Sequence, residues 1–263
     1  MQYRFNLLKL LPLLAAVCSP LASATVVSIT IDGGDAIFLA GRTDLTIPPA
    51  SDAWDGPGDH TIRHSGPTPE EIVETLPPIV SVAAGDVIRA LDPAVGGISF
   101  YNGLGAPFYG PSGNGLSGSN LSALGGISGY IGPQGALAGV FLTDAIPNGI
   151  APITLNFNPD GLGAEFSVLN PAVGQVFYIG DGKNSAGEFQ TFIAPTGATR
   201  LALGIPDGFG FNGAPGAYDD NDGSYSIRLG INEIPTPVPE PASISMMLAG
   251  LGLCALVRRR IKK

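Results

Sequence analysis

Four oxygen-bearing side chains follow one another near the C-terminal end of this 263-residue chain: Asp219, Asp220, Asn221 and Asp222. Adjacent carboxylates repel one another unless a cation lies among them. Calcium takes about six to eight oxygen ligands from carboxylates, amides and backbone carbonyls. With Asp207 upstream, the segment therefore predicts a calcium site. The alternative is an empty solvated turn, because Asp and Asn are ordinary turn residues.

The spacing excludes the EF-hand class of calcium loop. With Gly223 at the sixth loop position, the first and twelfth positions fall on Tyr218 and Leu229. An EF-hand needs a carboxylate at these positions, which neither Tyr218 nor Leu229 supplies. We therefore expect ligands from an irregular loop.

The stretch "PGAYDDNDGSYSIRLG", residues 215–230, resembles the C-terminal calcium loop of the soluble galactose-binding bacterial lectins. Upstream, "EFQTFIAPTGATRLALGIPDG" is similar to the strand, Ala-Pro turn and second strand that precede that loop. The segments "GDVIRAL" and "FYGPSG" resemble an earlier strand and a tyrosine loop of the same family. The resemblance covers about residues 84–230 and is closest over residues 188–230.

The resemblance implies five calcium ligands. The side-chain ligands would be Asp207, Asp220 and Asn221, and Tyr109 and Ala217 would offer backbone carbonyls. Asp207, Asp220 and the backbone of Gly208 would also face the sugar hydroxyls. The chain departs from the family in two ways: the loop between Asp207 and Pro215 is longer, and residues 110–134 contain no counterpart of the family's sugar-facing histidine. The sugar is therefore left open.

Both histidines lie in a different segment. His60 and His64 are four residues apart among Asp52, Asp55 and Asp59. A helix with that spacing could bind zinc. However, Gly-Pro pairs bracket the two histidines, so an exposed loop is the favoured interpretation.

No sequence motif predicts catalysis. The chain has no G-x-S-x-G motif, and its histidines lie only in residues 48–78, so a Ser-His-Asp centre is not expected. A paired-carboxylate glycosidase, which needs only two acids, stays open as an alternative.

The elements that must position the acidic segment are predicted to be strands. The chain has 38 Gly and 24 Pro, which separate short apolar runs, and 44% of its residues are hydrophobic. This pattern is typical of an all-β protein, and we expect a jelly-roll-like β-sandwich with long loops over residues 25–234. Residues 48–78 are interpreted as an insertion loop, and residues 101–129 as a Gly/Ser-rich loop. The predicted strands cover residues 25–31, 36–40, 44–47, 79–82, 86–91, 136–142, 153–157, 176–179, 189–193, 198–203 and 224–229, with those at 79–82 and 86–91 paired around Ala84-Gly85.

The part of the chain between the two terminal segments is strongly acidic. Residues 25–234 hold 21 acidic and six basic residues, a net charge of −15. Such a balance argues against nucleic-acid binding, which needs a basic surface, and suits cation binding. Cys18 and Cys254 lie in the terminal segments, so no disulfide is expected in this domain.

The N-terminus has the three parts of a secretory signal. Arg4 and Lys9 form the basic end, residues 7–17 form the apolar stretch, and Ala22-Ser23-Ala24 forms the cleavage site. We therefore expect a signal peptide over residues 1–24 and a mature chain that starts at Thr25.

The C-terminus combines three features in order. Pro239, Glu240 and Pro241 precede residues 242–257, which carry no charge, and a cluster of Arg and Lys follows. Residues 238–263 resemble the PEP-CTERM sorting tail of Gram-negative bacteria. The resemblance implies processing by an exosortase-type enzyme, a transmembrane helix over residues 242–257, and a place at the cell surface or in the exopolysaccharide matrix.

Together these features predict an exported, calcium-dependent, lectin-like protein that binds carbohydrate or exopolysaccharide and has no enzymatic activity. Two alternatives stay open. One is a structural matrix or adhesion protein whose calcium only stabilises the fold, and the other is a glycan-active hydrolase.

Overall fold

The computed structural model describes residues 24–45, 47, 74–100, 107–115 and 117–233. The predicted signal peptide, residues 48–73 with His60 and His64, and the sorting tail lie outside these ranges. The strands are β1 (Thr25–Asp32), β2 (Ile79–Ser81), β3 (Val87–Ala90), β4 (Val95–Ser99), β5 (Ser117–Leu121), β6 (Tyr130–Pro133), β7 (Ala138–Leu142), β8 (Val168–Leu169), β9 (Val176–Tyr178), β10 (Thr191–Ile193), β11 (Arg200–Gly204), β12 (Asn212–Gly213) and β13 (Asp222–Ile231).

The strands form three sheets. One sheet has the order β1-β13-β3-β10-β8, with β4 paired to β13. A second has the order β2-β11-β7-β9, and a third has β12-β5-β6. The helical elements of the described residues are three 3₁₀ turns, Ile37–Leu39, Phe209–Phe211 and Tyr218–Asp220. The all-β prediction is confirmed, whereas the jelly-roll topology and the domain boundaries stay predictions.

Aromatic side chains join the two larger sheets. The ring centroids of Phe177 in β9 and Phe192 in β10 are 5.0 Å apart, and Phe141 in β7 stacks on Phe177 at 5.2 Å. All three rings are buried. Large buried rings in contact contribute strongly to stability through the apolar area that they remove from water.

The longest strands follow the predicted alternation. In β13, Tyr225, Ile227 and Leu229 are buried, and the residues between them are exposed. Along β1, burial increases toward Ile31, which is fully buried. β1 pairs with β13 over its whole length, from Thr25 opposite Ile231 to Asp32 opposite Ser224. This pairing brings the end of β1 to the start of β13, beside the acidic segment.

Two predicted strands are absent from the described residues. Within residues 36–40, Ile37–Leu39 form a 3₁₀ turn in which all three side chains are buried. A short apolar run gives no periodicity that separates a buried strand from a buried helical turn. Of the predicted strand 44–47, the structure describes residues 44, 45 and 47, and these form no strand. The Asp44 side chain accepts a hydrogen bond from Arg42 Nε at its Oδ1, at 2.8 Å.

The strands at 79–82 and 86–91 exist as β2 and β3, but they do not pair with each other. β2 pairs with β11, and β3 pairs with β13 and β10, in a different sheet. At the turn between them, the Ala83 N–H donates to Asp86 Oδ2 at 2.7 Å, and Ala194 exchanges backbone hydrogen bonds with Gly85 and Asp86. The turn therefore carries the chain from one sheet to another.

Two further predictions need correction. Residues 153–157 are not a strand, because only the isolated bridge of Asn156 with Ile131 forms there, and Ile153 is exposed. Conversely, β5 lies inside the segment predicted as a Gly/Ser-rich loop and pairs with β6. Ser, Gly and Asn carry little strand preference of their own, so this strand depends on its partner.

Candidate functional site

Asp207 is a buried carboxylate at the centre of the predicted site. It follows β11 by three residues and is 3% exposed. Its Oδ1 accepts the N–H of Gly208 at 2.7 Å, and its Oδ2 accepts Nδ2 of Asn221 at 2.8 Å. A charged oxygen that accepts such hydrogen bonds is held in a defined position.

The acidic segment folds back onto Asp207. Ala217 has left-handed backbone angles (φ 60°, ψ 28°) and starts the 3₁₀ turn Tyr218–Asp220. The N–H of Gly216, just before it, donates to the Asp207 carbonyl at 3.2 Å. Asp220 is 7% exposed, so this turn also buries a second acidic side chain.

Asn221 links three parts of the chain. Its Nδ2 donates to Asp207 Oδ2 and, at 3.0 Å, to the carbonyl of Gly33 just after β1. Its Oδ1 is buried and has no hydrogen-bond partner among the described residues. A buried amide oxygen without a donor is costly unless another group, such as a cation, satisfies it.

Gly33 allows this close approach. A Cβ on Gly33 would lie 2.9 Å from the Cβ of Asn221, which is closer than real Cβ atoms come. The Gly33 N–H also donates to the Gly223 carbonyl at 3.0 Å. The turn after β1 is therefore part of the site.

Tyr218 contacts Asp207, and the charge of Asp207 also acts on a second buried tyrosine, Tyr225. The Tyr218 hydroxyl donates to the Ile205 carbonyl at 2.7 Å and accepts the Asp207 N–H at 3.2 Å. Burial, and next the negative charge of Asp207, raises the pKa of Tyr218 well above its usual value. The same two causes raise the pKa of Tyr225. Both phenols therefore stay neutral donors beside a carboxylate.

Tyr109 reaches the site through β4. It forms a bridge with Ile98, which lies opposite Gly223 in the β4–β13 pairing. The Tyr109 carbonyl accepts the Ile98 N–H at 3.0 Å, so one of its lone pairs is engaged. The Tyr225 hydroxyl donates to the Gly110 carbonyl at 3.1 Å and thereby links this loop to β13.

The structure thus brings most of the predicted ligands together. Asp207 and Asn221 are in direct contact, and Ala217 and Asp220 belong to the same turn, whereas Tyr109 stands on the neighbouring strand edge. Gly208 is buried, and its N–H is engaged by Asp207.

The donor set consists of oxygen atoms. Among the described residues, no three His, Cys, Asp or Glu side chains group as they would around a metal ion. A calcium site here would therefore depend on the Asn221 amide and on backbone carbonyls as well as on Asp207 and Asp220. Calcium accepts such mixed oxygen sets.

Sequence reasoning missed Gly33 and Tyr218. A signal for Gly33 exists in Asp32-Gly33-Gly34-Asp35, where two glycines follow a strand and mark a close backbone approach. Tyr218 gave no separate signal, because an aromatic residue beside acids looks like any core residue.

The C-terminal segment matches a known family model. Residues 237–261 match the PEP-CTERM protein-sorting motif. The chain carries a PEP-CTERM sorting tail. The motif implies an exported protein that is processed at the membrane and recognised by an exosortase-type enzyme. It confirms the prediction made from Pro239, Glu240 and Pro241.

The match does not extend to the residues that the structure describes. No curated protein and no solved structure matches the chain. The likeness to the galactose-binding lectins therefore stays a prediction. Within the described ranges, no helix has the length and apolar character needed to cross a membrane, and residues 242–257 lie outside those ranges.

Proposed function

We propose that residues 25–234 form a jelly-roll-like β-sandwich that binds carbohydrate in a calcium-dependent way. The observation that carries this proposal is the junction at Asn221. Its Nδ2 contacts the carboxylate of Asp207, and its buried Oδ1 has no donor among the described residues. An oxygen in that position gains most from a cation.

Five residues would hold the calcium ion. Asp207, Asp220 and Asn221 would bind through side-chain oxygens, and Ala217 and Tyr109 through backbone carbonyls. The ion would supply a positive charge that offsets the repulsion between the two buried carboxylates and coordinates sugar hydroxyls. Both carboxylates are buried beside one turn, so the charges to be balanced are already in place.

Carbohydrate recognition would use the same carboxylates. A hydroxyl donates well to a charged oxygen, and charge-assisted hydrogen bonds are stronger than neutral ones. Asp207, Asp220 and the backbone at Gly208 are the proposed sugar contacts. The −15 charge of residues 25–234 favours a neutral, hydroxyl-rich partner over an anionic polymer.

The sorting tail supports a place outside the cell. We propose that residues 242–257 span the membrane until processing and that the protein then resides at the surface or in the matrix of a Gram-negative bacterium. A carbohydrate-binding domain delivered there meets exopolysaccharide.

A second candidate function is favoured by the burial of the site. Asp207 is 3% exposed, Asp220 is 7% exposed, and the Gly208 N–H is engaged internally. Calcium enclosed in this way would stabilise the fold of a structural matrix or adhesion protein without binding a sugar.

A glycan array separates the two candidates. The mature domain is applied to galactose-, mannose-, fucose- and glucose-terminated glycans in calcium and in EDTA. The lectin proposal expects binding in calcium that EDTA abolishes. Thermal stabilisation by calcium without any glycan binding would support the structural candidate instead.

A further inference from the structure

Two exposed phenylalanines lie beside the candidate calcium site. Phe108 is 58% exposed and Phe209 is 56% exposed. Every other aromatic side chain that the structure describes is buried or half-buried. The two most exposed aromatic side chains of the described residues therefore lie in the segments that carry Tyr109 and Asp207.

Phe108 packs beside the acidic turn. A Cβ on Gly223 would lie 3.0 Å from Cε1 of Phe108, and a Cβ on Gly97 would lie 2.8 Å from its Cβ. Gly223 has φ +101°, and it directly follows Asp222 at the start of β13. The backbone of two glycines thus supports Phe108, which still exposes more than half of its surface.

Phe209 lies two residues after Asp207 in the chain. It opens the 3₁₀ turn that follows Gly208, and Phe211 at the end of that turn is buried. The Phe211 ring lies 5.5 Å from Phe100 in an edge-to-face contact, and Phe100 stacks on Tyr109 at 6.4 Å. Buried rings therefore connect the segment that carries Phe209 with the segment that carries Phe108.

Exposing two large aromatic rings to water costs solvation free energy. A sugar ring accounts for their position, because it has hydroxyls at its edge and an apolar C–H face. Binding sites combine aromatic walls with a few polar groups in this way. Asp207 and Asp220 would take hydroxyls while a phenyl ring covers the C–H face.

From this we infer that Phe108 and Phe209 form an aromatic platform for a pyranose ring at the calcium site. The inference rests on the proposed carbohydrate binding and adds the residues that select for sugars with an uninterrupted C–H face. A charged or fully hydrophilic polymer without such a face would not use these rings.

The test uses the mature domain and its Phe108→Ala, Phe209→Ala and double variants. The probe is methyl β-D-galactopyranoside, followed by whichever glycan gives the strongest array signal in calcium. Each single variant is expected to bind about threefold to tenfold more weakly, and the double variant to lose measurable binding. The calcium-induced rise in melting temperature is expected to stay unchanged in all three.

Two controls sharpen the test. Ile153→Ala removes an apolar side chain that is 84% exposed, and it is expected to leave glycan binding unchanged. Phe209→Tyr keeps the aromatic face and is expected to restore binding, whereas Phe209→Leu is not.

Three other outcomes would overturn the proposed aromatic platform. Wild-type affinity in the double variant rejects it and leaves calcium-dependent sugar binding intact. A wild-type dimer that becomes monomeric in the variants assigns the rings to contact between copies. Absence of glycan binding in the wild type, with or without a calcium-induced melting shift, rejects the proposed function and the platform together.

Discussion

Nδ2 of Asn221 lies 2.8 Å from Oδ2 of Asp207, which joins two turns that are 14 residues apart in the chain. The same Nδ2 donates to the Gly33 carbonyl, 188 residues away. One amide therefore holds the end of β1, the segment after β11 and the start of β13 together. The expected behaviour of the site follows from this contact.

Asn221→Ala removes both hydrogen bonds and the amide oxygen. Without calcium, the free energy of unfolding is expected to fall by about 1–3 kcal/mol, the usual cost of breaking buried polar contacts. Urea unfolding in EDTA measures this loss. Asn212→Ala, at an exposed position of β12, is the matched control and is expected to change little. Equal midpoints for wild type and Asn221→Ala would show that the junction contributes nothing.

Calcium is expected to stabilise the wild-type domain through binding linkage. At about 100 times the dissociation constant, the gain is about 2.7 kcal/mol. Asp220→Asn keeps the shape of the buried side chain, removes its charge and is expected to lose most of this gain. Asp222→Asn, two residues later at the first position of β13, is expected to keep it. Melting and calorimetric titration of both variants measure the contrast, and equal losses would place the ligands elsewhere in the turn.

Gly33→Ala tests the close approach of β1 to the site. The added Cβ would lie 2.9 Å from the Cβ of Asn221, so one backbone segment must shift. Overpacking of this kind costs about 1–3 kcal/mol. Gly149→Ala, where no heavy atom lies within 4 Å of the added Cβ, is expected to leave the melting temperature unchanged. If Gly33→Ala melts like wild type and binds calcium equally well, the approach does not matter for the site.

Asp44 is expected to make stability depend on pH. The hydrogen bond from Arg42 lowers the pKa of Asp44 below its usual value. A lowered folded-state pKa stabilises the fold above the unfolded pKa, and that contribution is lost as the pH falls. Asp44→Asn is therefore expected to melt lower than wild type at pH 7, with the difference narrowing below about pH 4.

The pair Arg228–Asp92 provides the control for this effect. Its side chains are 51% and 60% exposed, whereas the Arg42 side chain is only 6% exposed. Exposed ion pairs contribute little, so Asp92→Asn is expected to melt like wild type at every pH. A constant difference between Asp44→Asn and wild type from pH 3 to pH 7 would contradict the assigned linkage.

The sorting motif predicts the ends of the mature chain. Mass spectrometry of protein isolated from the native host is expected to show a chain that starts at Thr25 and lacks residues 258–263. A variant with Pro239, Glu240 and Pro241 replaced by Ala is expected to keep its basic end. A wild-type chain with an intact C-terminus would point to a simple membrane anchor.

Local patterns in the sequence were sufficient for part of this description. Alternating apolar residues predicted β1 and most of β13. The order of the Pro-Glu-Pro motif, the apolar stretch and the basic cluster predicted the sorting tail, and the family match over residues 237–261 confirms it. These features depend on residues that are close together in the chain, so the sequence carries them without any knowledge of the fold.

Other predictions were wrong where the outcome depends on distant partners. Ile37–Leu39 form a buried 3₁₀ turn, and the backbone N–H groups of Ile37 and Ala36 bond to the distant carbonyls of residues 205 and 75. β2 and β3 lie in different sheets, where they pair with the distant strands β11 and β13 instead of with each other. A hydrophobic run indicates that a segment is buried, but it does not indicate which distant segment packs or pairs with it.

Some features of the candidate site could be predicted from the sequence, whereas others depend on the tertiary structure. Its oxygen-rich composition and the ligand set Asp207, Asp220 and Asn221 follow from sequence and resemblance. Only the tertiary structure places Gly33 against Asn221, turns Tyr218 toward Asp207 and leaves Phe108 and Phe209 exposed beside them. The pairing of β1 with β13 determines these contacts, because it joins segments as far apart as Thr25 and Ile231, and no local preference encodes such a distance.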